Sequence, residues 1–371
     1  MFRTKHKENK IINSNLLLFT LFCLCAVLYL GLVINYWYFL LILLTPLTIR
    51  KVKLWWPQIV ILSSIIVIFI FLIIFANQFS LINLLNQGIK LLGGNHVRKA
   101  IIHFLNKHYS KETASFIKLV LLNIKTKDTY YFHKQAVDLG IVWLICISGF
   151  HISLINTLIK LIFKKIPHIG KYVSIVIISF YSYILNFTYA SIRVLLNISY
   201  SWIYKTFDIQ KYEKVGLLGL TICLINPSCF SDYGFLLSFI VCIVATYVNS
   251  LELNNKIITS LLINIFAFVS TIPFVVAMNN KISLLSFINA FVFTYFFSLI
   301  FLYFIIFSWM PFMAIIHHGI IVASYVLIGN ISFSNIYIYS NAWPAWINSV
   351  YCLLSVGLAK ALYLIVKNNK I

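Results

Sequence analysis

Apolar stretches near 20 residues long, about what a helix needs to cross a bilayer core, recur along the whole sequence. A chain patterned this way has nowhere to hide its surface in water. The runs fall at 16–34, 36–49, 57–76, 139–163, 172–190, 191–204, 215–229, 234–250, 257–278, 283–308, 311–329 and 346–366. The runs 36–49, 191–204 and 215–229 are short for a crossing and suit re-entrant or broken helices, whose freed backbone groups need protein or water as partners. The expected fold class is therefore an all-α polytopic integral membrane protein with about 10–12 transmembrane or re-entrant helices. Composition agrees, with 61% apolar and 10% charged residues and a mean hydropathy of +0.95. Cysteines are scattered through the apolar runs without a CxxC pair, which suits small buried side chains.

Charge fixes an orientation. Lys and Arg number 29 against 8 Asp and Glu. With the N-terminus inside, the inner segments hold Arg3, Arg50, Lys51, Lys53, Lys164, Lys165, Lys171, Lys211, Lys256, Lys367 and more, while the short outer loops hold Lys281. The positive-inside rule thus places both termini in the cytoplasm and the chain in the cytoplasmic membrane. Residues 77–138 are the exception, a long basic segment with an outward placement. Its apolar residues (Ile101, Ile102, Phe104, Leu105; Phe116, Ile117, Leu119, Val120, Leu121) recur at helical spacing, which predicts two amphipathic helices lying on the outer face. Such helices commonly bind anionic lipid; a vestibule that collects a polyanion is the sharper reading.

Catalytic signatures are missing. The sequence has no GxxxxGK[ST] and no HExxH, and the adjacent His317 and His318 point about 100° apart on a helix and chelate poorly. His96, His103 and His108 lack diagnostic ligand spacing, so all five read as interfacial histidines, and no metal or cofactor is expected. Ser148-Gly149-Phe150-His151 puts a small-residue pair and a titratable ring inside an apolar run. That serves helix packing or a polar path equally well, and a Ser148 nucleophile with His151 as base is a further reading. Arg193, amid Asn186, Thr188, Tyr189, Ser191, Asn197 and Ser199, costs roughly 2.5–3.5 kcal/mol at the bilayer centre. It either snorkels to an interface or faces a path where it meets phosphates. Asp232 suits the N-cap of a helix starting near Gly234, and Pro273 suggests a kink.

In order, Ile147-Ser148-Gly149-Phe150-His151, Ser191-Ile192-Arg193-Val194, Asp232-Tyr233-Gly234-Phe235-Leu236-Leu237-Ser238-Phe239 and Thr271-Ile272-Pro273 followed by Ser283–Asn289 resemble four signatures of the ComEC-type DNA internalisation channel family. Tyr233 and Leu236 stand where that family has Pro and Gln. The resemblance implies a competence-type membrane channel domain at 139–310, between N-terminal membrane helices (1–76), the basic extracytoplasmic segment (77–138) and C-terminal membrane helices (311–371). It implies transmembrane passage of single-stranded DNA during natural transformation. The sequence has no HxHxDH, so nuclease activity is not expected of it, and the chain is expected not to be an enzyme. Ser148, Gly149, His151, Arg193 and Asp232 are the expected path residues, and Arg98, Lys99, Lys107 and Lys111 the expected DNA-capturing ones. Membrane lipid, a cytoplasmic ATPase or helicase motor and DNA receptor proteins are the implied partners. The alternatives are a secondary transporter or lipid flippase for an anionic substrate, which suits broken helices equally, and an intramembrane hydrolase.

Overall fold

A computed structural model describes residues 17–36, 38, 41, 56–74, 95–141, 149–251, 255–333, 335–352 and 354–355. The apolar runs become helices. In chain order these are α1 (Leu17–Tyr29), continued by a π turn at Leu30–Ile34, and α2 (Trp56–Ile74). Three short helices follow, α3 (His96–His108), α4 (Lys111–Leu122) and α5 (Tyr130–Asp138). Next are α6 (Gly149–Ile162), α7 (Pro167–Ile184), α8 (Tyr189–Ser199), α9 (Ser201–Thr206) and α10 (Lys211–Ile225). Then come α11 (Tyr233–Asn249), α12 (Lys256–Asn279), strand β1 (Lys281–Ser283), α13 (Ser286–Phe307), α14 (Ala314–Phe333) and strand β2 (Tyr337–Tyr339), followed by a helical segment at 345–352. Among the described residues, three helical segments are long and apolar enough to cross a membrane: Lys256–Asn279, Ser286–Phe307 and Pro311–Phe333. The expected run 36–49 falls almost wholly outside the described residues.

The expected run 172–190 ends early, while 191–204, expected as a re-entrant or broken helix, is divided between α8 and α9. Helix α7 stops at Ile184, and Asn186 and Phe187 take left-handed φ values of 56° and 50° before α8 begins. Asn tolerates that conformation, and two such residues in a row end any helix, whatever the hydropathy of the run. Pro273 lies inside α12, which continues through it to Asn280, a left-handed cap.

Two compact units emerge. The first comprises residues 1–85, 199–254 and 343–371. In it α1 packs on α10 so closely that a Cβ on Gly216 would strike the backbone of Phe19. Phe22, Phe230, Phe235 and Phe239 form its aromatic cluster, and the Tyr29 hydroxyl meets Ser231 Oγ at 2.8 Å. Glu213 Oε2 accepts the N–H of Leu18 at 3.0 Å, satisfying one of the donors that the first turn of α1 leaves open.

The second unit comprises residues 86–198 and 255–342. Strands β1 and β2 pair antiparallel, Lys281 opposite Tyr339 and Ser283 opposite Tyr337. The core of this unit is α13 and what lies along it. Leu139 accepts from Asn289 Nδ2, Phe132 packs on Phe297, Phe116 on Phe304, and the Tyr109 hydroxyl donates to Ser308 O at 2.8 Å. Phe104 then reaches Trp309. Residues 104–139 therefore run antiparallel along the whole of α13, whose 22 residues rise about 33 Å, close to the thickness of a bilayer core.

Within 95–138 the helices differ from the expected amphipathic pair in number and packing. Three helices are present, and the middle one, α4, is buried at Thr113–Ile117 and Leu119–Leu122. Its apolar side chains surround the helix instead of forming one stripe, so it needs protein on nearly every side. Its ends are defined by Ser110, which accepts from Thr113 N, and by Asn123, left-handed at φ 55°.

Candidate functional site

Helices α6 and α8 bring two of the sequence signatures together. A Cβ added at Gly149 would fall on the Arg193 guanidinium, with Val194 Cγ2 at 3.5 Å. Only a glycine leaves the arginine that room. Ile152, Ile178, Leu185, Val194 and Ile198 hold α6, α7 and α8 in register beneath the contact. Arg193 itself is half-buried. The start of α8 is tied by Ser191, whose hydroxyl donates to Thr188 O at 2.8 Å.

His151, two residues further along α6, is 1% exposed and its ring packs at a tilt on Phe301 of α13, with centres 4.6 Å apart. The signature therefore sends its glycine toward an arginine and its histidine into the aromatic core. Ser148 lies outside the described residues. Asp232 belongs to the first unit, where it caps α11 by accepting from Phe235 N at 2.8 Å, as its sequence position suggested.

The basic residues of 95–138 divide by role. Arg98 donates through Nη1 to Ile184 O at 2.9 Å and through Nη2 to Leu122 O at 3.1 Å. Asn95, which accepts from Arg98 N, donates to Tyr183 O at 2.6 Å. The last carbonyls of a helix lack partners within it, and Arg98 supplies one to Leu122 O and Ile184 O, while Asn95 adds a second donor to Tyr183 O beside Asn186 N. Arg98 is thus a clamp joining α3 to α4 and α7. Lys111, Lys99 and Lys107 are exposed, and Lys111 pairs with Asp128 at 3.1 Å. Lys118 within α4, Lys125 and Lys127 in the loop after it and Lys134 in α5 continue the basic series, half-buried at Lys118 and exposed at the others. At the far end Lys281 closes on Asp138 at 2.7 Å and lies 5.2 Å from the Tyr337 ring centre.

A buried polar cluster escaped the sequence reading. His317, expected at an interface, is fully buried; its Nδ1 meets the Tyr303 hydroxyl at 2.8 Å and its Nε2 meets Phe307 O at 3.2 Å. The spacing of Tyr303 and His317, on separate helices, carries no signal in one dimension. Among the described residues, no group of three His, Cys, Asp or Glu side chains is arranged to hold a metal.

Apolar helices of membrane length, with an arginine seated over a helix glycine, define an α-helical membrane protein. The sequence profile described as "Competence protein" matches residues 131–367. The chain belongs to that family, the ComEC-type competence domain, as its four ordered signatures implied. It is 32% identical over 168 residues to an uncharacterized protein of Mycoplasma pneumoniae, the MG316 homolog, covering 45% of this chain and 44% of that one. It is 28% identical over 169 residues to the uncharacterized protein MG316 of Mycoplasma genitalium, covering 46% of this chain and 44% of the relative. The matches thus span less than half the length of either relative. No solved structure matches the chain.

Proposed function

We propose that this protein is a path for single-stranded DNA across the cytoplasmic membrane, acting in DNA uptake and without catalysis of its own. One observation carries the reading. Lys107, Lys111, Lys118, Lys125, Lys127 and Lys134 lie on the stretch that parallels α13 from end to end. Where α13 crosses a bilayer, lysines beside it are costly against lipid, about 2.5–3.5 kcal/mol each at the centre, and are retained where they face water or an anion. A succession of cations along the membrane normal suits a polyanion, which exchanges one phosphate contact for the next. Binding of this kind is nearly independent of base sequence and weakens steeply with salt. Arg193 adds a fixed planar cation suited to phosphate.

The sequence holds no nucleotide-hydrolysing motif, so direction comes from a cytoplasmic ATPase or helicase, with receptor proteins delivering the strand. The test is uptake of end-labelled single-stranded DNA into vesicles carrying the protein and its motor. Exchanging Lys107, Lys118, Lys125 and Lys134 for Gln should cut uptake at least tenfold at equal protein level. Uptake unchanged by that exchange, or flux of small anions with no DNA uptake even in wild type, would overturn the reading.

A further inference from the structure

We infer that the cleft between α3, α4 and the loop that follows α4 is a binding site for one phosphodiester group of the passing strand, an inference that rests on the DNA-path reading. The cavity is about 420 Å³ and is lined by Asn106, Lys111, Ser115, Lys118, Thr126 and Asp128. That volume lies within the roughly 300–1,000 Å³ of ordinary ligand pockets and accommodates a nucleotide unit with water. Lys111, Ser115 and Lys118 follow one another at four and three residues, so they share one face of a helix whose other faces are buried.

Hydrogen bonding decides the sign of the ligand. Asp128 contributes the cavity's one carboxylate, and both its oxygens are engaged: Lys111 Nζ lies 3.1 Å from Oδ1, and Ser115 Oγ donates to Oδ2 at 3.1 Å. Tyr325 and the Thr126–Thr129 contacts hold the loop in place. Lys118 donates to the neutral Oδ1 of Asn106 at 3.0 Å, and among the described residues no carboxylate pairs with its positive charge. The lining therefore presents N–H donors and, with two lysines against one carboxylate, a net charge of +1. A phosphodiester carries one negative charge and only acceptors. Anionic lipid headgroups share that chemistry, so the test must separate the two sources.

The experiment uses the full chain in nanodiscs of neutral lipid, with a fluorescein-labelled 20-nucleotide oligothymidylate read by anisotropy across a salt series. Lys118→Gln should weaken binding about five- to tenfold and reduce the slope of log K against log salt by about 0.7, the value for one lost contact on a single strand. Lys118→Arg should retain binding, which separates loss of charge from loss of fold. Asp128→Asn removes the one negative charge and should leave binding equal or tighter; weaker binding there would indicate a cation site. The proposal is overturned if Lys118→Gln leaves affinity and slope unchanged. It is also overturned if that variant loses binding to phosphatidylglycerol vesicles but not to the oligonucleotide, since the site then belongs to lipid. In both cases intact uptake by wild type would leave the DNA-path reading standing, whereas wild-type protein that neither binds nor transports the strand would sink that reading first.

Discussion

The guanidinium of Arg193 occupies the space above Gly149 that the first carbon of any larger side chain would take. Two sequence signatures separated by more than forty residues thus share one contact between α6 and α8. The atom met is the far end of a flexible side chain, so the conflict created by a methyl group is relieved by moving the arginine, not the backbone. Gly149→Ala should accordingly fold, with a stability loss of about 1 kcal/mol, inside the ordinary range for a single substitution. It should lose DNA uptake to the same degree as Arg193→Ala. Thermal unfolding beside the uptake assay checks both halves; full uptake by Gly149→Ala would show that the position of the arginine does not matter.

The course of 104–139 along α13 makes a topological prediction. Lys107 lies near the Ser308 end of α13, while Tyr339, paired with Lys281, lies at the opposite end. In a background with the native cysteines replaced, Lys107→Cys and Tyr339→Cys should react with a membrane-impermeant maleimide from opposite sides of the membrane. Labelling of both from one side would return the basic segment to the membrane surface.

The ion pair of Lys281 with Asp138 joins β1 to the end of α5, each side chain about one-fifth exposed. Removing one partner leaves a poorly hydrated charge behind. Lys281→Met should therefore cost about 1–3 kcal/mol, and combining it with Asp138→Leu should recover most of the loss. A double-mutant cycle by thermal unfolding in detergent measures the coupling. Additive losses would mean that the pair contributes nothing.

Glu213 precedes the apolar run of 215–229, and burial pushes its carboxyl up to about 7 against the pull of the Leu18 and Phe19 N–H groups. The folded protein then keeps a proton that the unfolded chain has lost between pH 4.5 and about 7. With more protons bound to the native state, stability falls as pH rises through that window and levels off above it. Glu213→Gln should flatten the dependence of Tm on pH between 4.5 and 7 while keeping an acceptor for Leu18. An unchanged slope in the variant would assign the dependence to another group.

Hydropathy along the chain was enough to place the helices at 17–34, 56–74, 256–279, 286–307 and 314–333, because covering apolar length in a bilayer is a one-dimensional requirement. Asp232 was legible as a cap for the same reason, since a cap depends on residues three apart. Four ordered signatures marked the family. The sequence could not say what the apolar residues of α4 touch. Lipid tails and a protein interior are equally apolar, so Phe116 and Leu119 read alike whether they face a membrane surface or Phe304. The pairing of Lys281 with Tyr339 and the seating of Arg193 over Gly149 were decided likewise by contacts between distant segments. Periodicity determines which side of a helix is apolar; only the packed helices determine whether that side meets lipid or protein, and so whether a lysine beside it lies on a surface or along a path.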